Sequence, residues 1–194
     1  MEFWYGLTTA EIEQLEQADE HFLRTFLEAG KGCPKEMLYL ETGTIQIRFT
    51  IYKRRLMFLH YLLTEDETCM IHKFLRSQME NPCRNDWMKS VQKDLDSLEI
   101  FLSYEDIQNV SGNQFRTFVN QICEDKALEY LQKLKLKHSK VLHIEHSSLK
   151  IQSYLLPENV WNIQLAKFLF QARTRMLEVK CNYKEKYTRE GLQC

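Results

Sequence analysis

The spacing of apolar residues and the scarcity of turn formers predict an all-α protein, an irregular bundle of about eight helices with no substantial sheet. Only 6 Gly and 3 Pro occur in 194 residues, too few for the tight turns of a many-stranded fold. Apolar residues return every three or four positions along most of the chain, which is the helical period. Hydrophobic residues make up 44% and charged residues 27% of the chain. That balance belongs to a globular protein able to bury a core, not to a disordered one.

The elements follow in order. Thr8-x-x-Glu11 is a capping-box signature, and Ile12, Leu15, Phe22, Leu23, Phe26 and Leu27 follow it at helical spacing. Glu11, Glu13, Glu16, Asp19 and Glu20 crowd the first half of this helix, where negative charge suits the dipole. Gly30, Gly32 and Pro34 end it. A short helix over Lys35–Glu41 stops at Gly43, a natural residue to follow a helix end. From Ile45 a longer helix combines Ile47, Ile51, Leu56, Phe58, Leu59, Leu62 and Leu63 with Arg48, Lys53, Arg54 and Arg55. This spacing predicts an apolar stripe toward a core and a concentrated positive face toward something acidic.

Thr64-x-x-Glu67 has the form of a second capping box, opening a helix with Met70, Ile71, Phe74, Leu75 and Met79, closed by Asn81-Pro82. Asn85 or Asp86 caps the next, whose stripe is Trp87, Met88, Val91, Leu95 and Leu98. Ser103-x-x-Asp106 starts a brief helix with Ile107 and Val110. Ser111 opens the longest one, carrying Phe115, Phe118, Val119, Ile122, Ala127, Leu128, Leu131 and Leu134 and ending in the basic run KLKLKHSK. Val141-Leu142-His143-Ile144 reads as a short extended piece. A last helix is expected over Val160 to Val179, followed by a polar tail.

The net charge of −1 conceals local blocks of each sign. No apolar run approaches the roughly 20 residues that span a bilayer, and the N-terminus shows no secretory pattern. The six cysteines, Cys33, Cys69, Cys83, Cys123, Cys181 and Cys194, are scattered without a CxxC pair. Reduced thiols in an intracellular protein are the expectation.

No arrangement looks catalytic. GxSxG, HExxH and a glycine-rich phosphate loop are all missing from the sequence. Of the acidic runs Glu65-Asp66-Glu67, Glu105-Asp106 and Glu124-Asp125, the first two fall at expected helix starts, where capping and the dipole account for them. His138, His143 and His146, with Glu145 among them, are the one metal candidate. Structural zinc sites take four closely spaced ligands, commonly thiolates, so a solvated polar connector is the favoured reading, and neither metal nor cofactor is expected. Cys181 and Cys194 resemble the start of a zinc knuckle but lack partner cysteines on this chain.

Three basic features remain: Arg48 with Lys53, Arg54 and Arg55; the run from Lys126 to Lys140, including Lys135 and Lys137; and Arg173 through Arg189, including Arg175. Clustered cations displace counterions from phosphates, and nearby aromatics stack on unpaired bases. Tyr52, Tyr61, Tyr183 and Tyr187 are the candidates for stacking. The competing reading is a set of solvated helix faces.

The run PKEMLYLETGTIQIRFTIYKRRLMFLHYLL resembles the segment that follows the polymerase core in non-LTR retrotransposon reverse transcriptases. DWMKSVQKDLDSLEI, KALEYLQKLKLKHSKVLHI and LFQARTRMLEVKCNYKEKY continue the resemblance in the same order over nearly the whole chain. It implies a thumb-like helical lobe over residues 1–80 and a post-thumb helical lobe over 81–180. Residues 181–194 would lead into a zinc motif beginning at Cys194. Fingers, palm and the paired aspartates that hold catalytic magnesium lie outside this chain, so the resemblance implies no enzymatic activity for it. It also implies backbone contacts to RNA or an RNA/DNA duplex, from Arg48, Lys53, Arg54 and Arg55 first, then Arg173 and Arg175, then Lys135 and Lys137. The polymerase core of the parent protein would be its other partner, with no membrane and no small-molecule substrate. One departure stands out: the family usually has proline where this chain has Gln46. The alternatives are a helical protein-interaction module, with the cations paired to acids such as those of the first helix, or a transposon remnant without retained function.

Overall fold

Residues 7–81, 87–159 and 162–177 are described by the computed structural model. Among them the chain is all-α, with eight helices, two 3₁₀ turns and no strand. The helices are α1 (Thr9–Leu27), α2 (Lys35–Thr42), α3 (Ile47–Thr64), α4 (Met70–Glu80), α5 (Trp87–Ser97), α6 (Tyr104–Asn109), α7 (Gly112–Lys135) and α8 (Ile163–Arg173). Contacts divide the chain into two compact units, Met1–Glu16 with Ile45–Ala127 and Gln17–Thr44 with Leu128–Cys194. Each unit is assembled from segments distant in sequence. Of the three unit boundaries, two fall inside α1 and α7 and the third between α2 and α3.

Local signals start and stop several helices where the sequence places them. Thr8 and Glu11 form the expected reciprocal cap: Thr8 N–H donates to Glu11 Oε2 at 2.7 Å, and Glu11 N–H donates to Thr8 Oγ1 at 3.3 Å. That backbone hydrogen bond, helped by the Thr8 hydroxyl, holds the Glu11 carboxyl below its ordinary value. Ser103 and Asp106 repeat the arrangement at α6. Ser111 Oγ accepts from Gln114 N–H at the start of α7. Gly43 closes α2 with φ +65°, and glycine is required there twice over. A Cβ at this position would lie 2.2 Å from Ile151 N, and only glycine enters the left-handed region freely.

Three expectations fail at helix ends. Thr64 does not cap α4; it is the last residue of α3, and its hydroxyl donates to the His60 carbonyl. A hydroxyl committed to the carbonyl four residues back cannot accept from the next helix, so α4 starts later, behind Cys69, without a side-chain cap. Val141–Ile144 is not extended, because a 3₁₀ turn over Ser139–Val141 carries the chain out of α7. The last helix is shorter than expected and ends at Arg173. The expected caps Asn85 and Asp86, the ends of the longer expected helix at Val160 and Val179, and the lead-in over 181–194 lie outside the described residues.

In the first unit α3 packs on α4, α5 and α6. Ile51, Leu56, Leu59, Leu62 and Leu63 of α3 are buried with Val91 and Leu95 of α5 and Ile107 of α6. His60 is a satisfied core histidine: its Nε2 meets the Val110 carbonyl at 2.8 Å, and its ring stacks on Phe115. α4 does not bury the stripe that its spacing suggests. Its buried residues are His72, Leu75 and Gln78, while Met70 is 85% exposed and Phe74 60%. The second unit closes over Leu23, Leu27, Met37, Leu38, Leu40, Leu131, Val141, Ile144 and Phe170. No helix among the described residues is long and apolar enough to cross a membrane.

Candidate nucleic-acid interface

The eight cations that the sequence singles out divide into two groups of four. Arg48, Arg55, Lys135 and Arg173 are engaged inside their own units. Arg48 grips Glu16 of α1 through Nε and Nη2, one on each carboxylate oxygen, a bidentate pair. Arg55 lies in the core of the first unit with Nη1 3.2 Å from each oxygen of Asp94, both side chains only 4% exposed. Burial pushes the Asp94 carboxyl up to about 6 even against the opposing pull of Arg55. The Lys135 ammonium donates to the Ile144 carbonyl, and burial lowers its pKa. Arg173 Nε donates to Glu41 Oε1 at 2.8 Å. α3 therefore does not present its cations as a single positive face, since two of the four turn to carboxylates of their own unit.

Lys53, Arg54, Lys137 and Arg175 differ in their exposure to solvent. Lys53 is half-buried and the other three are exposed. Arg54, Phe58 and Tyr61 stand four and three residues apart, so they share one face of α3, and all three are exposed. The Phe58 and Tyr61 rings lie nearly parallel, 19° apart with centroids at 6.1 Å, and Phe58 also meets Trp87 edge-on. Tyr52, the other described tyrosine proposed for stacking, is half-buried and meets Phe49 edge-on. Tyr183 and Tyr187 lie outside the described residues. In the second unit, Lys137 and Arg175 line one hollow of about 300 Å³, together with His138, Lys140, Thr174 and Gly32.

The histidines do not gather. His146 is buried against Glu41, Nε2 to Oε1 at 2.9 Å, and His138 Nε2 lies 3.0 Å from Glu36 Oε1. His143 is exposed. No cluster of three potential metal ligands exists among the described residues. Cys33, Cys69 and Cys123 are free thiols, and burial pushes Cys33 and Cys123 up to about 12, far from the reactive range.

One buried constellation escaped the sequence reading. Fully buried Glu41 accepts from Tyr154 Oη at 2.6 Å and from Arg173 Nε, and its Oε1 meets His146 Nε2. Burial alone would raise the Glu41 carboxyl, yet the hydrogen bonds of His146, Tyr154 and Arg173 together hold it below its ordinary value. The same burial and the Glu41 carboxylate push the Tyr154 hydroxyl upward. The only sequence signal was an acid at the end of the apolar run MLYLE. Its three partners lie 105, 113 and 132 residues away.

Compared with protein-family models, with curated proteins and with solved structures, the chain matches none of them.

Proposed function

We propose that this chain is a non-catalytic helical region of a non-LTR retrotransposon reverse transcriptase that holds RNA or an RNA/DNA duplex through its backbone, independent of sequence. The observation that carries this reading is the exposed row Arg54, Phe58 and Tyr61 on α3. A cation beside two aromatic faces is what unpaired nucleic acid asks of a protein: charge for the phosphate and π-surface for the base. Lys53 adjoins this row, and Lys137 and Arg175 add a second basic surface in the other unit. Arg48, Arg55, Lys135 and Arg173 act as frame residues, each holding its own unit through an internal partner.

The test is an anisotropy titration of single-stranded RNA across salt. Arg54→Glu is expected to weaken binding at least tenfold and to flatten the salt slope by about one. Tyr61→Ala is expected to cost about 1–3 kcal/mol without changing that slope. No binding at low salt, or indifference to both substitutions, overturns the reading. Arg55 is the wrong position for charge reversal, because a carboxylate there would face Asp94 inside the core.

The second reading, a helical protein-interaction module, is favoured by the Arg48–Glu16 pair and by the apolar exposure of Met70 and Phe74. Retention of a protein partner by variants that have lost RNA would favour it.

A further inference from the structure

Three helices end on the same hydrogen-bond pattern with a charged residue at the left-handed position. Glu28 (φ 52°) closes α1, Glu99 (φ 56°) closes α5 and Arg175 (φ 57°) closes α8. In each case the left-handed residue donates three positions back, and its successor donates five positions back. For α8 these bonds are Arg175 N–H to the Ala172 carbonyl and Met176 N–H to that of Gln171. This is the Schellman closure, in which glycine is the default and any side chain brings a steric penalty. The two glutamates have evident partners, Lys167 at 2.6 Å from Glu28 and Lys126 at 2.6 Å from Glu99. Arg175 forms no ion pair with another described residue; its side chain instead lines the hollow with Lys137 and Lys140.

We infer that this hollow is a binding site for a phosphate monoester. Lys137, Lys140 and Arg175 surround about 300 Å³ of space, too little for a duplex and ample for one phosphate with its sugar. Lysine supplies mobile point charge and arginine a planar fork that matches two phosphate oxygens. His138, Ser139 and Thr174 add further polar lining, and His138 Nε2 faces the buried Glu36 carboxylate. Helix C-termini favour cations without any ligand, which explains a lysine just past α7. The same preference accounts for a positive charge at Arg175, two residues past α8, but not for a side chain at the position where glycine would close the helix without strain. An internal phosphodiester offers one charge on a convex strand, whereas a terminal phosphate projects two into a recess. The occupant is therefore a phosphate monoester, either at the end of a nucleic-acid strand or free in solution. The strand-end occupant rests on the function proposed above; the phosphate chemistry of the hollow does not.

The experiment compares 5′-phosphorylated and 5′-hydroxyl RNA of one sequence, with inorganic phosphate as a third probe, on the full chain and on Arg175→Gly and Lys137→Ala. The phosphorylated strand is expected to bind at least tenfold more tightly, and millimolar phosphate to abolish that difference. Arg175→Gly should erase the preference while leaving the melting temperature unchanged or higher, because glycine suits the left-handed position. Lys137→Ala, at an exposed site, should erase most of it as well. Equal affinity for the two strands, with no thermal shift from inorganic phosphate, overturns the site while leaving backbone binding intact. A preference that survives both substitutions also overturns it. A thermal shift from inorganic phosphate that Arg175→Gly removes, with neither strand bound, upholds the phosphate site and overturns the nucleic-acid reading.

Discussion

Arg55 reaches Asp94 from within the core of the first unit, one guanidinium nitrogen 3.2 Å from both carboxylate oxygens and each side chain 96% hidden from solvent. A charged pair at that depth is held by its partners more than it stabilises the fold. Taking two ions out of water costs several kcal/mol, which their attraction only partly offsets. Arg55→Leu and Asp94→Leu are each expected to destabilise the protein by about 3–5 kcal/mol. The double substitution should fall within about 1 kcal/mol of the wild type, or above it. Chemical denaturation of the four proteins checks this, and additive losses would rule it out.

The same pair sets a pH dependence. Burial raises Asp94 in the folded protein from an ordinary 3.8 to about 6, so between these values the folded state binds more protons than the unfolded one. Stability from this group is complete below pH 4 and is lost as pH rises toward 6, an effect of about 3 kcal/mol. Thermal melts from pH 4 to 7 should show this decline, and Asp94→Asn should remove it. A decline untouched by that substitution would assign it to other groups.

Gln46 occupies the N-cap of α3, buried, with φ −60° and ψ 149°. Neither its side-chain oxygen nor its nitrogen has a partner, a costly state for a buried amide. The backbone angles suit proline. Gln46→Pro removes the stranded amide and restricts the unfolded chain, so it is expected to stabilise the first unit by about 1–3 kcal/mol. The melting temperature should rise by several degrees; a fall would mean that the buried amide is satisfied in solution.

Glu41→Gln tests the second unit. The substitution keeps the shape but takes a full negative charge from Arg173, His146 and Tyr154, and should cost about 2–4 kcal/mol. Because the hydrogen bonds hold the folded Glu41 carboxyl below 4.5, its stability is present above that pH and lost as pH falls through the folded value. The penalty of the substitution should therefore shrink as pH falls out of the ordinary carboxylate range and through the lower folded value. A penalty that stays constant down to the onset of acid unfolding would contradict this.

Gly43→Ala should be among the most damaging single-methyl additions in the chain. The new Cβ would overlap Ile151 N and the carbonyl carbon of Lys150, at 2.2 and 2.4 Å, where the backbone of both segments must move. An expected loss of about 3 kcal/mol or more combines this clash with left-handed strain. Thermal denaturation against Gly30→Ala, whose Cβ meets nothing nearer than 3.9 Å, provides the comparison.

What the amino-acid sequence determined by itself is the all-α class, the order of the helices and those ends decided by near neighbours. Thr8, Gly43, Ser103 and Ser111 act on groups within about four residues, so their spacing carries their meaning. Thr64 shows the limit of that logic: its hydroxyl had two local partners on offer, and packing of α3 settled on the earlier one. Charge was the part that only tertiary structure decided. Arg54 and Arg55 are adjacent in sequence, yet the helical turn between them exposes one and buries the other beside Asp94, 39 residues away. Glu41 meets its three partners only across more than a hundred residues, and Lys137 and Arg175 meet around one hollow. Helix formation is a local balance of backbone hydrogen bonds and propensity. Whether a cation faces phosphate, water or a buried carboxylate depends on desolvation, which is set by what the rest of the chain brings alongside.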